Sequence, residues 1–299
     1  MEVGFIGVGK IGTPIACQIA IGGHNVTAFD RRPDAVKKLA ARGIRSAANI
    51  DHLINSSEVV CTCLPGPAEL ESLMFSKEGG EIATRMRPGT LYIDLTTSSP
   101  ELARRIHDVL KEREIMSVDS PVSGGVEGAA SGDLAAIVGG DVRAFERARP
   151  ILETAAQRVL HVGPPGAGQI CKIVHNSAMF CAEMALAECM TAGVAAGVEA
   201  ETLFKALQAC AMGSGLSRNV RLPATWLSGD FESRFDLSAA YKDMSLAADL
   251  GASLGVPLPS VAACRDRMAE ALSRGWSEKD SSIMHKLQEE RAGVQVRFS

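Results

Sequence analysis

Lys172 and Asn176 stand four residues apart in Gly166-Ala167-Gly168-Gln169-Ile170-Cys171-Lys172-Ile173-Val174-His175-Asn176. On a helix that spacing puts both side chains on one side, a turn apart, with His175 on an adjoining flank. After Gly168 no Gly or Pro occurs until Gly193, and the intervening residues are strong helix formers. Ile173, Met179, Phe180, Met184 and Leu186 make most of that helix surface apolar, so burial on most sides is expected. A lysine and an amide at the start of a buried helix form a candidate proton-transfer pair. The alternative is a lysine whose ammonium reaches water past an apolar stem. What lies before and after the helix bears on the choice.

The chain opens with a short strand, Val3 to Ile6, followed by Gly7-Val8-Gly9-Lys10-Ile11-Gly12 and a helix to about Ile21. A second strand, Asn25 to Phe29, ends in Asp30. This is the strand–glycine turn–helix–strand–acid context of a dinucleotide site. Gly7 serves the tight turn, Gly9 the approach of the pyrophosphate, and Gly12 the packing of helix on strand, with free helix N–H groups facing the phosphates. Asp30 is placed for the adenosine ribose hydroxyls and repels a 2′-phosphate, whereas Arg31 and Arg32 could clamp one. An acid at the strand tip outweighs arginines one step beyond it, so NAD is favoured over NADP.

Further strands are expected near Ile44, from Glu58 to Leu64, Thr90 to Leu95 and Ile115 to Val118. Two more, Ala135 to Val138 and Val159 to Val162, flank a helix from Arg143 to Glu153. Such alternation predicts an α/β, mostly parallel, doubly wound sheet with ligand loops at the carboxyl ends of its strands. One of those ends, Ser123-Gly124-Gly125, can present consecutive N–H groups and a hydroxyl to a carboxylate, or be an ordinary glycine turn. Pro164-Pro165-Gly166 closes this first domain, 1–163. From 164 to 299 only helical patterns recur: Glu201–Cys210, Ser217–Trp226, Leu237–Leu254, Pro259–Arg274 and Ser281–Glu290. The expected architecture is a dinucleotide-binding domain and an all-α domain joined by a long interdomain helix.

Composition sets the outer bounds. The 299 residues suffice for two domains, and 46% hydrophobic with 22% charged residues is ordinary for a globular chain. A net charge of −4 argues against nucleic acid or an anionic membrane as partner. Eight cysteines include no Cys-x-x-Cys; Cys61 and Cys63 fall in an apolar strand and Cys171, Cys181 and Cys189 in the long helix. No metal site is expected, and reduced thiols in a cytoplasmic protein are. Residues 2–8 already read as strand, so no signal peptide is expected, and Glu183 and Glu188 break the longest apolar run as a membrane span.

Five segments in order give the chain its resemblance: Gly7-x-Gly9-x-x-Gly12, Asp94-Leu95-Thr96-Thr97, Asp119-Ser120-Pro121-Val122-Ser123-Gly124-Gly125, Gly166-x-Gly168-x-x-x-Lys172-x-x-x-Asn176 and Lys242-Asp243. Across nearly its whole length it resembles the β-hydroxyacid dehydrogenases, which include 3-hydroxyisobutyrate dehydrogenase and tartronate semialdehyde reductase. The resemblance implies a Rossmann domain, a 6-phosphogluconate dehydrogenase-like helical domain and a homodimer or homotetramer. It implies reversible hydride transfer between NAD(P) and a small hydroxyacid. It further implies Lys172 as acid/base, Asn176 as its orienter or the substrate's, and Ser123, Gly124 and Gly125 on the substrate carboxylate. The resemblance also implies Thr97 near the nicotinamide ribose and Leu64 and Pro65 along the cofactor. By the same resemblance Lys242 and Asp243 would line the far wall of the cleft. Two departures bear on the substrate: His175 where many relatives carry a second asparagine, and Gly215, ahead of Asn219, where many carry an aromatic. Imine reductases share this architecture but usually replace the lysine, and relatives that serve as non-catalytic cofactor-binding modules have lost it. Lys172 argues against both.

Overall fold

A computed structural model of the chain describes residues 1–78, 81–209, 221–255 and 257–298. The chain divides into two compact units, Met1–Lys172 and Ile173–Ser299.

The first unit is built on β1 (Glu2–Ile6), β2 (Asn25–Phe29), β3 (Arg45–Ser46), β4 (Val59–Thr62), β5 (Leu91–Asp94), β6 (Met116–Asp119), β7 (Val122–Ser123), β8 (Leu134–Gly140) and β9 (Ala156–Gly163). Its helices are α1 (Gly12–Ile21), α2 (Pro33–Lys37), α3 (Ile50–Ser56), α4 (Pro67–Phe75), α5 (Ile82–Arg85), α6 (Pro100–Lys111), α7 (Gly125–Ser131) and α8 (Val142–Leu152). The strand order is β3-β2-β1-β4-β5-β6-β8-β7, with β9 paired to β8. Strands β1 to β6 pair in parallel, while β8 runs antiparallel to β6 and β7. Order reverses between β1 and β4, the place where open α/β sheets bind ligands beyond their strand ends.

Both faces of the sheet are covered, as parallel strands require. Period-two alternation sends Phe5, Val59, Cys61, Leu91 and Ile93 into one layer, against Ile15 and Ile19 of α1 and Ile151 of α8. Val60 and Tyr92 enter the other, against Leu53 of α3, Leu70 of α4 and Ile106 and Leu110 of α6. Pro100 opens α6 at its first turn, and Ser99 Oγ caps it by accepting from Leu102 N at 3.1 Å.

Helix α9 (Ala167–Ala195) contains the division between the units. The second unit continues with α10 (Ala200–Ala209), α11 (Leu222–Ala224), α12 (Leu237–Leu254), α13 (Pro259–Ser273) and α14 (Lys286–Ala292), the last preceded by a 3-10 turn at Ser281–His285. No strand occurs among its described residues. Phe180, Met244, Cys264, Met268 and Met284 centre one core, and Phe204, Trp226 and Leu227 a second. The expected helix from Ser217 to Trp226 is described only from 221 onward, where Leu222–Ala224 forms a single short turn. Its first half, the departure at Gly215–Asn219 and Cys210 lie outside the described residues.

Candidate active site

The glycine turn after β1 has the shape of a phosphate cradle. Gly7 takes φ +94°, and its N–H is bound by Phe29 O at 2.9 Å. A side chain there would strike the Cys63 carbonyl, and one at Gly12 the carbonyl of Gly7. Beyond Gly9 a Cβ would meet nothing within 4 Å, so the turn is tight behind and open in front. Helix α1 has no side-chain N-cap, because Ile11 at the N-cap position carries no acceptor, and Thr13 Oγ1 donates back to Val8 O at 2.8 Å. These features fit a dinucleotide pyrophosphate at the start of α1. Asp30 Oδ2 accepts from Val8 N at 3.0 Å and its Oδ1 from Arg32 N at 2.9 Å, which fixes the acid beside the turn. The Arg32 side chain folds onto the same carboxylate, and Arg31 is exposed. Lys10 is exposed, Val8 buried and Ile11 half-buried.

The ends of β4 and β5 are joined by a buried hydroxyl chain. Thr62 Oγ1 donates to Asp94 Oδ1 at 2.8 Å, so at 2.7 Å it accepts from the Tyr92 hydroxyl. Asp94 also holds Thr96 N, and Thr96 Oγ1 accepts from Leu64 N at 3.1 Å. Burial pushes the Asp94 carboxyl up to about 7, opposed by the Thr96 and Thr62 hydrogen bonds. Its Oδ2 has no hydrogen-bond partner, and Asp94 lines a small cavity with His107, Ser117, Asp119 and Pro165. Leu64 and Thr97 are half-buried and Pro65 is exposed at the strand ends.

Beyond β6 the chain reverses through β7, where Ser123 pairs with Ala135. Gly124 takes φ +140° and Gly125 φ +68°, and a Cβ on Gly124 would lie 2.8 Å from Leu134 Cδ2. The Ser123-Gly124-Gly125 turn is thus backbone-shaped and partly open to solvent.

Lys172 is buried on α9, at 6% exposure. The helix starts at Gly166-Ala167-Gly168, without a capping side chain of its own, and its N–H groups are taken by Asp119 from β6. Gly166 N donates to Asp119 Oδ1 at 2.7 Å and Gln169 N to Oδ2 at 2.9 Å. Burial raises the Asp119 carboxyl, and these amides pull the other way. The Gln169 side chain, fully buried, accepts from Ser98 N and donates to Thr96 O, both at 2.8 Å.

In the second unit Asn176 Nδ2 donates to Asp243 Oδ2 at 2.5 Å. Asp243 Oδ1 faces the Lys242 ammonium at 3.1 Å, an ion-pair distance but out of line for a hydrogen bond. Asn176 and Asp243 are buried, and Lys242 is half-buried. His175 is exposed. Within each unit the sequence-predicted residues therefore fall into compact groups: the glycine turn with Asp30, the loop at Ser123, and Asn176 with Lys242 and Asp243. Among the described residues no group of three or more His, Cys, Asp or Glu could hold a metal ion.

Known proteins carry the same two parts in the same order. Residues 2–163 match a family described as the NAD-binding domain of 6-phosphogluconate dehydrogenase. Residues 166–288 match one described as the NAD-binding domain of NADP-dependent 3-hydroxyisobutyrate dehydrogenase. The chain belongs to the β-hydroxyacid dehydrogenase family. It is 33% identical over 298 residues to an NAD-dependent L-serine dehydrogenase of Pseudomonas aeruginosa, covering 96% of this chain and 97% of that one. A 2-(hydroxymethyl)glutarate dehydrogenase of Eubacterium barkeri is 31% identical over 99% of this chain and 97% of its own. Among solved structures, Mycobacterium tuberculosis 3-hydroxyisobutyrate dehydrogenase with L-serine superposes with a TM-score of 0.87 at 30% identity, over 96% of this chain and 98% of that one. As a member of this family the protein is an NAD(P)-dependent dehydrogenase acting on a CH–OH group.

For a β-hydroxyacid dehydrogenase the motifs were the legible part, and Asp119 and Gln169 were not. Both stand inside quoted motifs without a role of their own. One signal was present: a long helix that begins Gly-Ala-Gly leaves its first N–H groups unsatisfied, so an acceptor has to come from elsewhere in the chain.

Proposed function

We propose that the protein interconverts a small β-hydroxyacid and its semialdehyde or keto form, with Lys172 as the general acid/base. The observation that carries this is a lysine buried at the start of α9, one helical turn before a buried asparagine. Ser123, Gly124 and Gly125 hold the substrate carboxylate through their N–H groups and hydroxyl. A nicotinamide cofactor held at the glycine turn would supply the hydride acceptor. As hydride leaves the carbinol carbon, neutral Lys172 takes the hydroxyl proton and the C–O bond becomes a carbonyl. In the reverse direction its ammonium returns that proton to the forming alkoxide. Asn176, held by Asp243, orients the lysine or the substrate, and Lys242, Asp243 and His175 contact substrate. Gly7 to Gly12, Asp30, Arg31, Leu64, Pro65, Thr97 and Lys242 bind the cofactor, with NAD preferred because Asp30 repels a 2′-phosphate.

The test is NAD reduction with a panel of 3-hydroxyisobutyrate, glycerate, L-serine, a four-carbon sugar acid and a hydroxysulfonate. Turnover of at least one carboxylate, faster than with its amide, is expected. Activity only on substrates without an anion would refute the assignment of the Ser123 loop.

A further inference from the structure

We propose that Asp119 and Gln169 are positioning residues that fix Lys172 against the two loops flanking it, an inference that rests on the acid/base role of Lys172. Asp119 is buried at the end of β6, four residues before Ser123. Its two oxygens receive Gly166 N and Gln169 N, so one carboxylate from a distant strand caps the helix that carries the lysine. Such a charge-assisted cap fixes both the axial position and the rotation of the first turn. Gln169 then ties the same turn to the end of β5 through Ser98 N and Thr96 O. Lys172 follows three residues later, so both clasps reach Gln169, within one turn of its Cα, and the Asp119 clasp extends back to Gly166.

The packing leaves no slack around this junction. A Cβ on Gly168 would come within 2.8 Å of Asp119 Oδ2, and one on Gly139 of β8 within 2.6 Å of Asp119 Oδ1 and 2.7 Å of Gly168 N. Gly139 and Gly168 therefore let strand, carboxylate and helix start touch. The carboxylate loop, the Thr96–Ser98 loop and the lysine are thereby joined through two buried side chains. Neither side chain needs to touch the substrate to set the distance over which the proton moves.

A double-mutant cycle tests this. Asp119→Asn keeps the side-chain volume but sets an amide N–H against a helix N–H. It should lower kcat for the best hydroxyacid by about 10- to 100-fold, with NADH affinity by fluorescence titration changed less than about twofold. In the Lys172→Ala background the same substitution should cost less than about twofold, because its effect runs through the lysine. Gln169→Glu, which keeps the acceptor for Ser98 N and loses the donor to Thr96 O, repeats the cycle and stands in should Asp119→Asn not fold. An equal fold-loss in both backgrounds, or a lowered melting temperature with unchanged kcat, would overturn the proposal. Wild-type turnover in Lys172→Ala alone would instead remove the acid/base reading on which it rests.

Discussion

The two units bury polar groups in different ways. In the first, buried carboxylates and amides are held by backbone at strand ends: Asp94 Oδ1 by Thr96 N, Asp119 by the start of α9, and Gln169 by Ser98 and Thr96. In the second, apart from the Asn176–Asp243 pair, charges are buried against charges. Arg221 bridges Glu183 and Asp280, and Arg297 meets Glu289, which also accepts from Trp226 Nε1 at 2.7 Å. A carboxylate held by backbone fixes loops, and loops at strand ends are where ligands sit. An ion network among helices fixes only the helices. The difference separates polar clusters that set a site from those that hold a core.

Removing Arg221 is the strongest way to probe the second kind. Arg221→Ala removes the guanidinium that bridges buried Glu183 and Asp280, and loss of one partner of a buried pair costs about 3–5 kcal/mol. A urea melt should show the free energy of unfolding lowered by that amount, read as a lower midpoint at unchanged slope, while NADH binding at low temperature persists. Gly124→Val probes the first kind. It should raise KM for the hydroxyacid by roughly tenfold or more with NAD affinity kept, read by initial rates and cofactor titration. Equal loss of cofactor binding would mean that this turn shapes the cofactor cleft.

Smaller effects sharpen the contrast. Asp30→Asn should shift the ratio of kcat/KM for NAD over NADP several-fold toward NADP, on the order of 1 kcal/mol. A wild type that prefers NADP tenfold would put Arg31 and Arg32 in control. Opposite pH responses should appear in the two units. His285, fully buried, is pushed down to about 3 by burial and by Arg221 and Arg267, so its stability contribution is present above the ordinary histidine value of 6.5 and falls away toward acid. Asp94 is pushed up to about 7, so its contribution is present below 3.8 and is lost as pH rises to 7. Melting temperatures should therefore rise for His285→Phe over wild type as pH falls from 6.5. For Asp94→Asn they should rise as pH climbs toward 7. Each shift should be about 2–4 °C.

What the sequence revealed follows the range of the interactions. Strand β2 and helix α12 begin and end where their patterns place them, because local periodicity and flanking Gly, Asn and Asp mark them. The glycine turn and Asp30 were equally plain, being one contiguous motif. Strand β7 was not, since two residues carry no periodicity, and with it went the antiparallel pairing of β8. The helix expected at Ser281–Glu290 divides into a 3-10 turn and α14, where Asp280 draws in Ser282 N and its carbonyl takes Ile283 N. The clasps of Asp119 and Gln169 span 47 to 73 residues, and no local pattern encodes a contact at that range.

The central claim is that Lys172 moves the proton, and its measurement is the turnover of Lys172→Ala with NAD and the best hydroxyacid of the panel. Positioned acid/base catalysis contributes roughly 10²–10⁴-fold, so kcat should fall at least a hundredfold while NAD affinity holds and added primary amine restores part of the rate. Turnover near that of the wild type would contradict the account and assign the proton to another group.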